Sequence, residues 1–422
     1  MRIALVTAGT RGDVQPMVAL GVELSRRRHD VVLGVPPNLG DLARGAGLVA
    51  LPIGPDSRAF LESEDGRAWL ASGNMKAFLD ALAKIAHEMF PSMTADTVAA
   101  CQGADLVVTG VLREDCVACI AEAAEVPMVV LHTSPHRPTR AYPSYLVTTR
   151  SLPGPLNQLT GTLFERTWWK RMRADINAFR TELGLPTTTR PTPVRLAAAE
   201  LLELQAYSEQ LVPGIDDYGA RRPFVGFLGL DASTRALLGE VGVSSELDSW
   251  LCDGEPPIYF GFGSMPIAEP DATLSMVTDV ARSLGVRALV SAGWGHLGRT
   301  GDTGDNQGVM CVGALDHAAV LPRCRAAVHH GGAGTTAASL SAGLATLACS
   351  VFADQPFWGT RLEELGVGAH RRFSALDRRT LESGLREVLD PSTAKRAQDL
   401  GKALVAEDGA VLRAADLVES AT

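Results

Sequence analysis

The chain has 422 residues, of which 46% are hydrophobic and 21% charged. At roughly 150 residues per domain this length predicts two or three domains with substantial cores. A formal charge of −9 repels a phosphate backbone and argues against general nucleic-acid binding. No stretch approaches the ~20 apolar residues that cross a bilayer, and the apolar run at 3–8 is too short for a secretory signal. Composition therefore predicts a globular, cytoplasmic protein.

Short apolar runs alternate with helical patterns along the first half of the chain. Strands are predicted at 3–7, 31–35, 48–51, 106–109 and 128–132. Helices are predicted from about Pro16, over 75–88 and over 114–124. Such β-α alternation is typical of a parallel, doubly wound sheet.

The middle of the chain breaks this alternation. Residues 133–155 are rich in Pro, Thr and Arg, and their length predicts a functional excursion rather than a tight connection. A helix carrying Trp168 and Trp169 is predicted to come next and to end near Gly184. The glycines and weak periodicity of 216–250 predict an interdomain linker.

The alternation restarts in the second half. Strands are predicted at 258–261, 288–291, 309–312, 326–329 and 346–349, with helices from about Asp271, Ala333, Pro356 and Ala375. The predicted organisation is an N-terminal Rossmann-like domain over 1–215, a linker over 216–250, a C-terminal Rossmann-like domain over 251–400 and a helical tail over 401–422. The tail could return to the first domain.

Seven thinly scattered cysteines argue against a disulfide framework. Cys116 and Cys119 have C-x-x-C spacing, but no second ligand pair stands at zinc-site distance, and their surroundings predict a helix. We therefore expect reduced thiols and no metal site.

The segment His329–Thr336, H-H-G-G-A-G-T-T, directly follows a predicted strand and opens a predicted helix. Small residues at a helix N-terminus let an anion reach several unpaired N–H groups, and an adjoining imidazole can donate to a phosphate oxygen. The pattern predicts a phosphate site, with a simple tight turn as the alternative. No P-loop or complete G-x-G-x-x-G motif is present, which disfavours kinases, P-loop ATPases and dinucleotide dehydrogenases.

Three further segments place polar groups where predicted strands end. Tyr259–Ser264 ends a strand with two glycines and a hydroxyl, although a plain turn explains it as well. Asp354 and Gln355 could grip vicinal sugar hydroxyls, with a helix cap as the alternative. Asp13 lies in G-T-R-G-D-V-Q-P, and we predict that it is a loop carboxylate; a cap or turn residue is its alternative.

Together these motifs resemble the nucleotide-sugar glycosyltransferases of family 1, in the branch of antibiotic and sterol glucosyltransferases. The resemblance rests on G-T-R-G-D-V-Q-P, the residues at 258–265, S-A-G-W-G at 291–295, H-H-G-G-A-G-T-T and A-D-Q-P-F-W-G. It implies the GT-B fold, two Rossmann-like domains whose parallel sheets face each other across a cleft. Relatives commonly have prolines in place of Ala345 and Ser350, which affects a turn rather than the chemistry.

The resemblance also implies roles for individual residues. Asp13 would be the general base. The donor diphosphate would be bound by His330, Gly332, Ala333, Gly334, Thr335, Ser264 and Thr10, and the donor sugar by Asp354 and Gln355. Apart from the resemblance, Trp294, Val312 and His317 could line the nucleobase pocket, and Met75, His132 and Pro135 could line the acceptor pocket. A packing role for Trp294 and a capped loop position for His132 remain open.

The predicted function is inverting, metal-independent transfer of a hexose from a UDP- or dTDP-sugar to a hydroxyl of a lipophilic acceptor, such as a polyketide, glycopeptide, phenolic or sterol. No cofactor is expected, because the nucleotide sugar is a co-substrate. A UDP-sugar 2-epimerase of the same fold and a non-catalytic auxiliary protein that binds a nucleotide sugar are the alternatives. Peripheral membrane contact and a monomeric or homodimeric state stay open.

Overall fold

The computed structural model describes residues 1–64, 66, 75–240, 242–263, 267, 269–293, 308–313, 315–404 and 406–422. The chain forms two compact units. The first contains Met1–Phe60, Met75–Leu237 and the C-terminal segment, and the second contains Leu238–Leu404 together with the described residues of the stretch 61–66. None of the described helices is both long enough and apolar enough to cross a membrane.

The first unit is built on a six-stranded parallel sheet. Its strands are β1 (Arg2–Val6), β2 (Asp30–Val35), β3 (Val49–Pro52), β4 (Leu106–Gly110), β5 (Met128–His132) and β6 (Leu202–Gln205), in the order β3-β2-β1-β4-β5-β6. Strands β4 and β5 are buried along their whole length, as expected for strands covered on both faces by helices.

Helices occupy the connections of this sheet. They are α1 (Arg11–Arg26), α2 (Gly40–Gly45), α3 (Ser57–Glu62), α4 (Met75–Cys101), α5 (Glu114–Ala124), α6 (Gly154–Glu182), α7 (Thr192–Ala198) and α8 (Ala232–Leu237). Apolar residues of α5 and α6, such as Val117 and Ile176, pack into one core with β4 and β5.

Helix α1 begins earlier than the sequence predicts. It starts at Arg11 rather than near Pro16, so Pro16 lies inside the helix and Asp13 in its first turn, not in a loop. Pro16 is the sixth helical residue, beyond the first turn, so the helix forgoes the one backbone hydrogen bond that an N–H at this position would donate to Gly12. Thr10 supplies the N-cap that the prediction overlooked.

The second unit repeats the architecture. Its strands are β7 (Ile258–Gly261), β8 (Ala288–Ser291), β9 (Val309–Val312), β10 (Ala326–His329), β11 (Thr346–Ser350) and β12 (Gly368–Arg372), all parallel and in the order β12-β11-β10-β7-β8-β9. Its helices are α9 (Ser245–Cys252), α10 (Pro270–Leu284), α11 (His317–Val320), α12 (Ala333–Ser341), α13 (Gln355–Glu364), α14 (Arg378–Val388) and α15 (Pro391–Ala403). Two Rossmann-like units confirm the predicted α/β class.

The range 216–250, predicted as the interdomain linker, contains the division between the units but is folded on both sides of it. Tyr218, Val225 and Phe227 are buried in the first unit, and Gln205 of β6 forms a bridge with Phe224. Helix α9 packs into the second unit through Leu247 and Leu251. The weak periodicity of the range reflects folded but irregular backbone, and the division between the units falls after Leu237.

The C-terminal helix α16 (Glu407–Glu419) belongs to the first unit. Arg27, just after α1, donates to Asp416 at 2.6 Å and to Glu419 at 2.7 Å. His29 also lies 2.8 Å from Glu419. The chain therefore returns to the first unit after α15, which itself runs to Ala403 in the second.

Candidate functional site

In each sheet there is one pair of neighbouring strands whose outgoing connections lead to opposite sides of the sheet. Strand β1 lies between β2 and β4, and β7 lies between β8 and β10. In open α/β sheets, ligands bind beyond the carboxyl ends of the strands at such switch points. The loops after β1 and β4 in the first unit, and after β7 and β10 in the second, are therefore the candidate sites.

Asp13 follows β1 and is fixed in the first turn of α1. Its Oδ2 accepts from the Thr10 backbone N–H at 2.8 Å and lies 3.4 Å from the Thr10 hydroxyl, while that hydroxyl accepts from Gly12 N–H at 3.3 Å. This is a capping box, with Asp13 at the third helical position. The Thr10 hydroxyl was predicted to contact the diphosphate. In the structure it forms part of the N-cap of α1 and holds Asp13 in place.

Burial raises the pKa of the Asp13 carboxyl to about 6, although the hydrogen bonds from Thr10 oppose the increase. A carboxylate with a pKa near the working pH is a better proton acceptor than an ordinary aspartate. The first switch point therefore presents a fixed group that can act as a base.

Gly9 and Leu112 border this carboxylate. Gly9 has φ +110°, and a Cβ there would lie 2.3 Å from Asp13 Oδ2 and 3.2 Å from Leu112 Cδ1. Only glycine fits between them. Leu112 is 42% exposed and lies in the short turn Val111–Arg113 after β4, so apolar surface flanks the candidate base. Leu112 is not among the predicted site residues, although its position after the strand next to β1 would have identified it.

His132 does not have the accessible position expected of an acceptor-binding residue. Its side chain is 0% exposed, and Nε2 lies 3.0 Å from Glu203 Oε2. Glu203 also accepts from Arg137 and, at 2.9 Å, from Arg222. Burial lowers the pKa of His132 to about 4, so the neutral ring donates to the carboxylate. His132 is therefore a buried residue that stabilises the fold, not an acceptor-binding residue. The local sequence could not show this, because its partner Glu203 is 71 residues away.

The other predicted acceptor residues also lie in the first unit. Met75 begins α4 and is half-buried, whereas Pro135 is buried just after β5. Pro135 therefore has little surface to offer a ligand, and Leu112 is better exposed.

In the second unit, the turn after β10 encloses His330 in glycine backbone. A Cβ on Gly332 would lie 2.4 Å from His330 Nε2, and one on Gly263, which follows β7, would lie 2.9 Å from its Cε1. Burial lowers the pKa of His330 to about 4, so the imidazole is neutral near pH 7. A hydrogen bond with the Gly261 backbone opposes this decrease. The residue thus sits directly at the second switch point.

The first turn of α12 comes immediately after His330 and its glycines. Gly332 is the N-cap, and no side chain caps the helix. The first N–H groups of a helix lack intrahelical acceptors, so those of Ala333, Gly334 and Thr335 are suited to bind an anion. A Cβ on Gly334 would meet nothing within 4 Å, so packing inside the chain does not require glycine there.

Asp354 and Gln355 lie beside this turn but have partners inside the chain. A Cβ on Gly331 would lie 3.1 Å from the Gln355 carbonyl oxygen, which brings the two segments together. Gln355 Oε1 accepts from Val351 N–H at 2.9 Å, and Asp354 Oδ2 accepts from the Trp358 indole at 2.8 Å. Asp354 does not cap α13 with its side chain, so the helix-cap alternative is not what the structure shows.

The predicted nucleobase residues are only partly described. Val312 ends β9, and His317 Nε2 lies 2.8 Å from the buried Tyr259 hydroxyl. Trp294, and Ser264 of the predicted diphosphate site, lie outside the described residues.

Fold and sites thus define an α/β protein with two Rossmann-like units, one offering a half-buried carboxylate and the other a helix start without a side-chain cap. Residues 3–143 match the glycosyltransferase family 28 N-terminal domain. Residues 299–411 match the C-terminal domain of erythromycin biosynthesis protein CIII-like proteins.

Similar proteins extend over nearly the whole chain. An uncharacterized glycosyltransferase of Mycobacterium leprae is 41% identical over 99% of this chain and 96% of its own. A sterol 3-beta-glucosyltransferase of Arabidopsis thaliana is 31% identical over 97% of this chain and 64% of its own. The chain belongs to the family 1 glycosyltransferases of the GT-B fold, which confirms the predicted family and enzyme class.

Solved structures show the same fold. The calicheamicin glycosyltransferase CalG4 superposes with a TM-score of 0.70 at 17% identity, covering 100% of this chain and 98% of its own. VinC, solved in complex with dTDP, has a TM-score of 0.63 at 18% identity and covers 100% of both chains. At these identities the likeness concerns the fold alone.

Proposed function

We propose that the protein transfers a hexose from a UDP- or dTDP-sugar to a hydroxyl of a lipophilic small molecule, with inversion at the anomeric carbon and without a metal. The observation that carries the proposal is the complementary chemistry of the two switch points. One holds Asp13, with its raised pKa, beside exposed Leu112. The other holds His330 at the start of α12.

Asp13 is the proposed general base. Thr10 contacts only its Oδ2, so we assign Oδ1 to the proton of the acceptor hydroxyl. As the acceptor oxygen attacks the anomeric carbon, the proton passes to Oδ1 and the bond from the sugar to the diphosphate breaks on the opposite face. A single displacement of this kind inverts the configuration. A carboxyl pKa near 6 favours this proton transfer at neutral pH.

The diphosphate is the proposed ligand of the second site. The N–H groups of Ala333, Gly334 and Thr335 and the partial positive charge of the helix start would stabilise the charge that develops on the leaving group. His330 would donate through Nε2. Ser264 would add a hydroxyl, and Asp354 and Gln355 would hold the sugar.

Solved structures support the proposed donor class, and sequence relatives support the proposed acceptor class. VinC was solved with dTDP, and the Streptomyces glycosyltransferase SsfS6 with thymidine diphosphate, which favours a pyrimidine nucleotide near Trp294, Val312 and His317. The sterol glucosyltransferases among the relatives and the exposed Leu112 favour a lipophilic acceptor.

The proposal is tested with a matrix of UDP- and dTDP-hexoses against polyketide, phenolic, glycopeptide and sterol acceptors. Mass spectrometry should find acceptor plus one hexose, and NMR should find the anomeric configuration opposite to that of the donor. Retained configuration would contradict single displacement. Release of a 2-epimer of the sugar without any acceptor would instead identify an epimerase, and binding of donor without turnover on every acceptor would favour an auxiliary protein.

A further inference from the structure

The first half of α6 carries leucines on its outer surface. Leu156, Leu159 and Leu163 are 47%, 46% and 50% exposed. Spacings of three and four residues place them on one face of the helix. Exposed apolar side chains that occur singly need no explanation, whereas a contiguous group indicates an interaction surface.

The preceding loop carries a further exposed apolar residue. Val147 is 53% exposed, and its loop is fastened to α6 because Ser144 N–H donates to Thr160 Oγ1 at 2.8 Å. Val147 N–H in turn donates to the Ser144 carbonyl at 2.9 Å. We call Val147, Leu156, Leu159 and Leu163 the α6 patch. The loop and the helix both contribute to it.

Basic residues continue the same side of α6. Arg166, Lys170 and Arg173 are exposed, and their spacing keeps them near the line of the leucines. Residues 138–173 contain six basic residues and one acidic residue, a formal charge of +5 in a chain whose charge is −9. The apolar end and the basic end therefore lie along about 25 Å of one helix.

We propose that the α6 patch and these basic residues dock on the surface of an anionic phospholipid bilayer. The leucines would enter the boundary between headgroups and acyl chains, and the cations would contact anionic headgroups. The local positive charge favours this occupant over a second copy of the chain, which would bring a like charge to the same surface. This inference goes beyond the proposed function and does not depend on it, since vesicle binding requires neither donor nor acceptor.

The test is co-sedimentation of the full chain with phosphatidylcholine vesicles and with vesicles containing phosphatidylglycerol. The variants are Leu156→Gln/Leu159→Gln/Leu163→Gln for the patch and Arg166→Gln/Lys170→Gln/Arg173→Gln for the charges. Leu237→Gln/Leu412→Gln is the matched control, because these leucines are 71% and 47% exposed outside the patch. Thermal unfolding checks the fold of each variant, and the single Leu159→Gln replaces the triple variant if that one unfolds.

Wild type should bind the anionic vesicles and bind more weakly at high salt. The leucine variant should bind at least about tenfold more weakly, the charge variant roughly fivefold more weakly for each cation removed, and the control like wild type. Failure of wild type to bind, or equal loss in the control, would overturn the proposal. So would light scattering that finds a wild-type dimer, dissociated by the leucine changes, with no vesicle binding.

Discussion

The two units share one strand order but carry different helix starts at their switch points. In the first unit, β1 leads to a capped helix whose first turn holds a half-buried carboxylate beside an exposed leucine. In the second, β10 leads to an uncapped helix whose first turn has small residues beside a half-buried imidazole. One scaffold thus accommodates opposite electrostatic tasks, because the loops and not the sheet decide which charge a site favours.

The capping of the two helices makes this difference concrete. In α1 the Thr10 and Asp13 side chains satisfy the helix start from within the chain, which leaves less positive potential for an external anion. In α12 no side chain does so, and the corresponding N–H groups are left for a ligand. Changes at Asp13 should therefore alter the chemical step, whereas changes at the start of α12 should alter nucleotide binding.

Asp13→Asn should lower the rate of transfer by about 10²–10⁴-fold, the range typical for loss of a general base. The amide oxygen can still accept from Thr10 N–H, so the capping box keeps its shape. Affinity for UDP or dTDP, measured by calorimetry, should stay at the wild-type value because the nucleotide site is assigned to the second unit. Near-normal transfer to an alcohol acceptor would refute the assignment of the base.

The pH dependence of protein stability distinguishes a carboxylate that acts as a base from one that only caps the helix. The folded-state pKa of Asp13 is raised from 3.8 to about 6, so ionising the carboxyl costs no stability below the lower value. The cost grows between the two values and is complete above the higher one. Asp13→Asn should therefore raise the unfolding temperature at high pH and change it little in acid. A lower unfolding temperature at high pH would indicate that the carboxylate serves mainly as a cap.

His330→Ala should weaken binding of the nucleotide diphosphate by roughly ten- to a hundred-fold, the value of a charge-assisted hydrogen bond. Acceptor affinity should hardly change. His87→Ala is a suitable control, because this exposed histidine pairs with Asp175 on the surface of the first unit. If acceptor binding falls while diphosphate binding persists, the division of labour between the units is wrong.

The pH dependence of kcat/KM should follow the ionisation of Asp13 in the first unit rather than that of His330 in the second. Because the pKa of Asp13 is raised to about 6, kcat/KM should fall about tenfold for each pH unit below that value and level off above it. His330 has a pKa of about 4 and remains neutral near pH 6 in the free enzyme. In Asp13→Asn the residual activity should lose the inflection near pH 6; an unchanged inflection would assign it to another group.

Strands with continuous apolar runs could be predicted from the sequence, and ten of them agree with the structure to within one residue. The edge strands β6 and β12 were missed because they contain polar residues, such as Glu203 and Arg371. Glu203 is buried only because His132, Arg137 and Arg222 surround it. A linear pattern does not show partners so distant in sequence.

The candidate site was predictable to a similar degree. The glycines around His330 and the position of Asp13 after β1 could be inferred from local spacing. The internal partners of Gln355 and Asp354 could not, since Gln355 turns back to bind Val351 and Asp354 reaches Trp358 one helical turn later. Leu112 becomes visible only when β4 is known to lie beside β1.

Gly334→Ala should show whether a bound ligand or the packing of the chain itself requires glycine at this position. A Cβ there meets nothing within 4 Å, so the substitution should stabilise the helix by about 0.5–1 kcal/mol. Diphosphate affinity should nevertheless fall by roughly three- to tenfold if a phosphate sits against the first turn, because a methyl group then displaces it. Unchanged affinity would mean that the anion binds elsewhere. Gly332→Ala is the contrasting variant, since its Cβ would collide with His330 and should lower stability as well.

A chelator should have no effect on wild type. The positive end of α12 and the His330 imidazole are proposed to balance the charge of the departing diphosphate, a task that a divalent cation performs in other enzymes. Dialysis against EDTA should therefore leave the rate of transfer unchanged, and added Mg²⁺ should not raise it. Activity lost on dialysis and restored by Mg²⁺ would show that the helix start is insufficient. The same titration in His330→Ala is more discriminating: if the imidazole and a cation are interchangeable, Mg²⁺ should rescue this variant while leaving wild type unaffected.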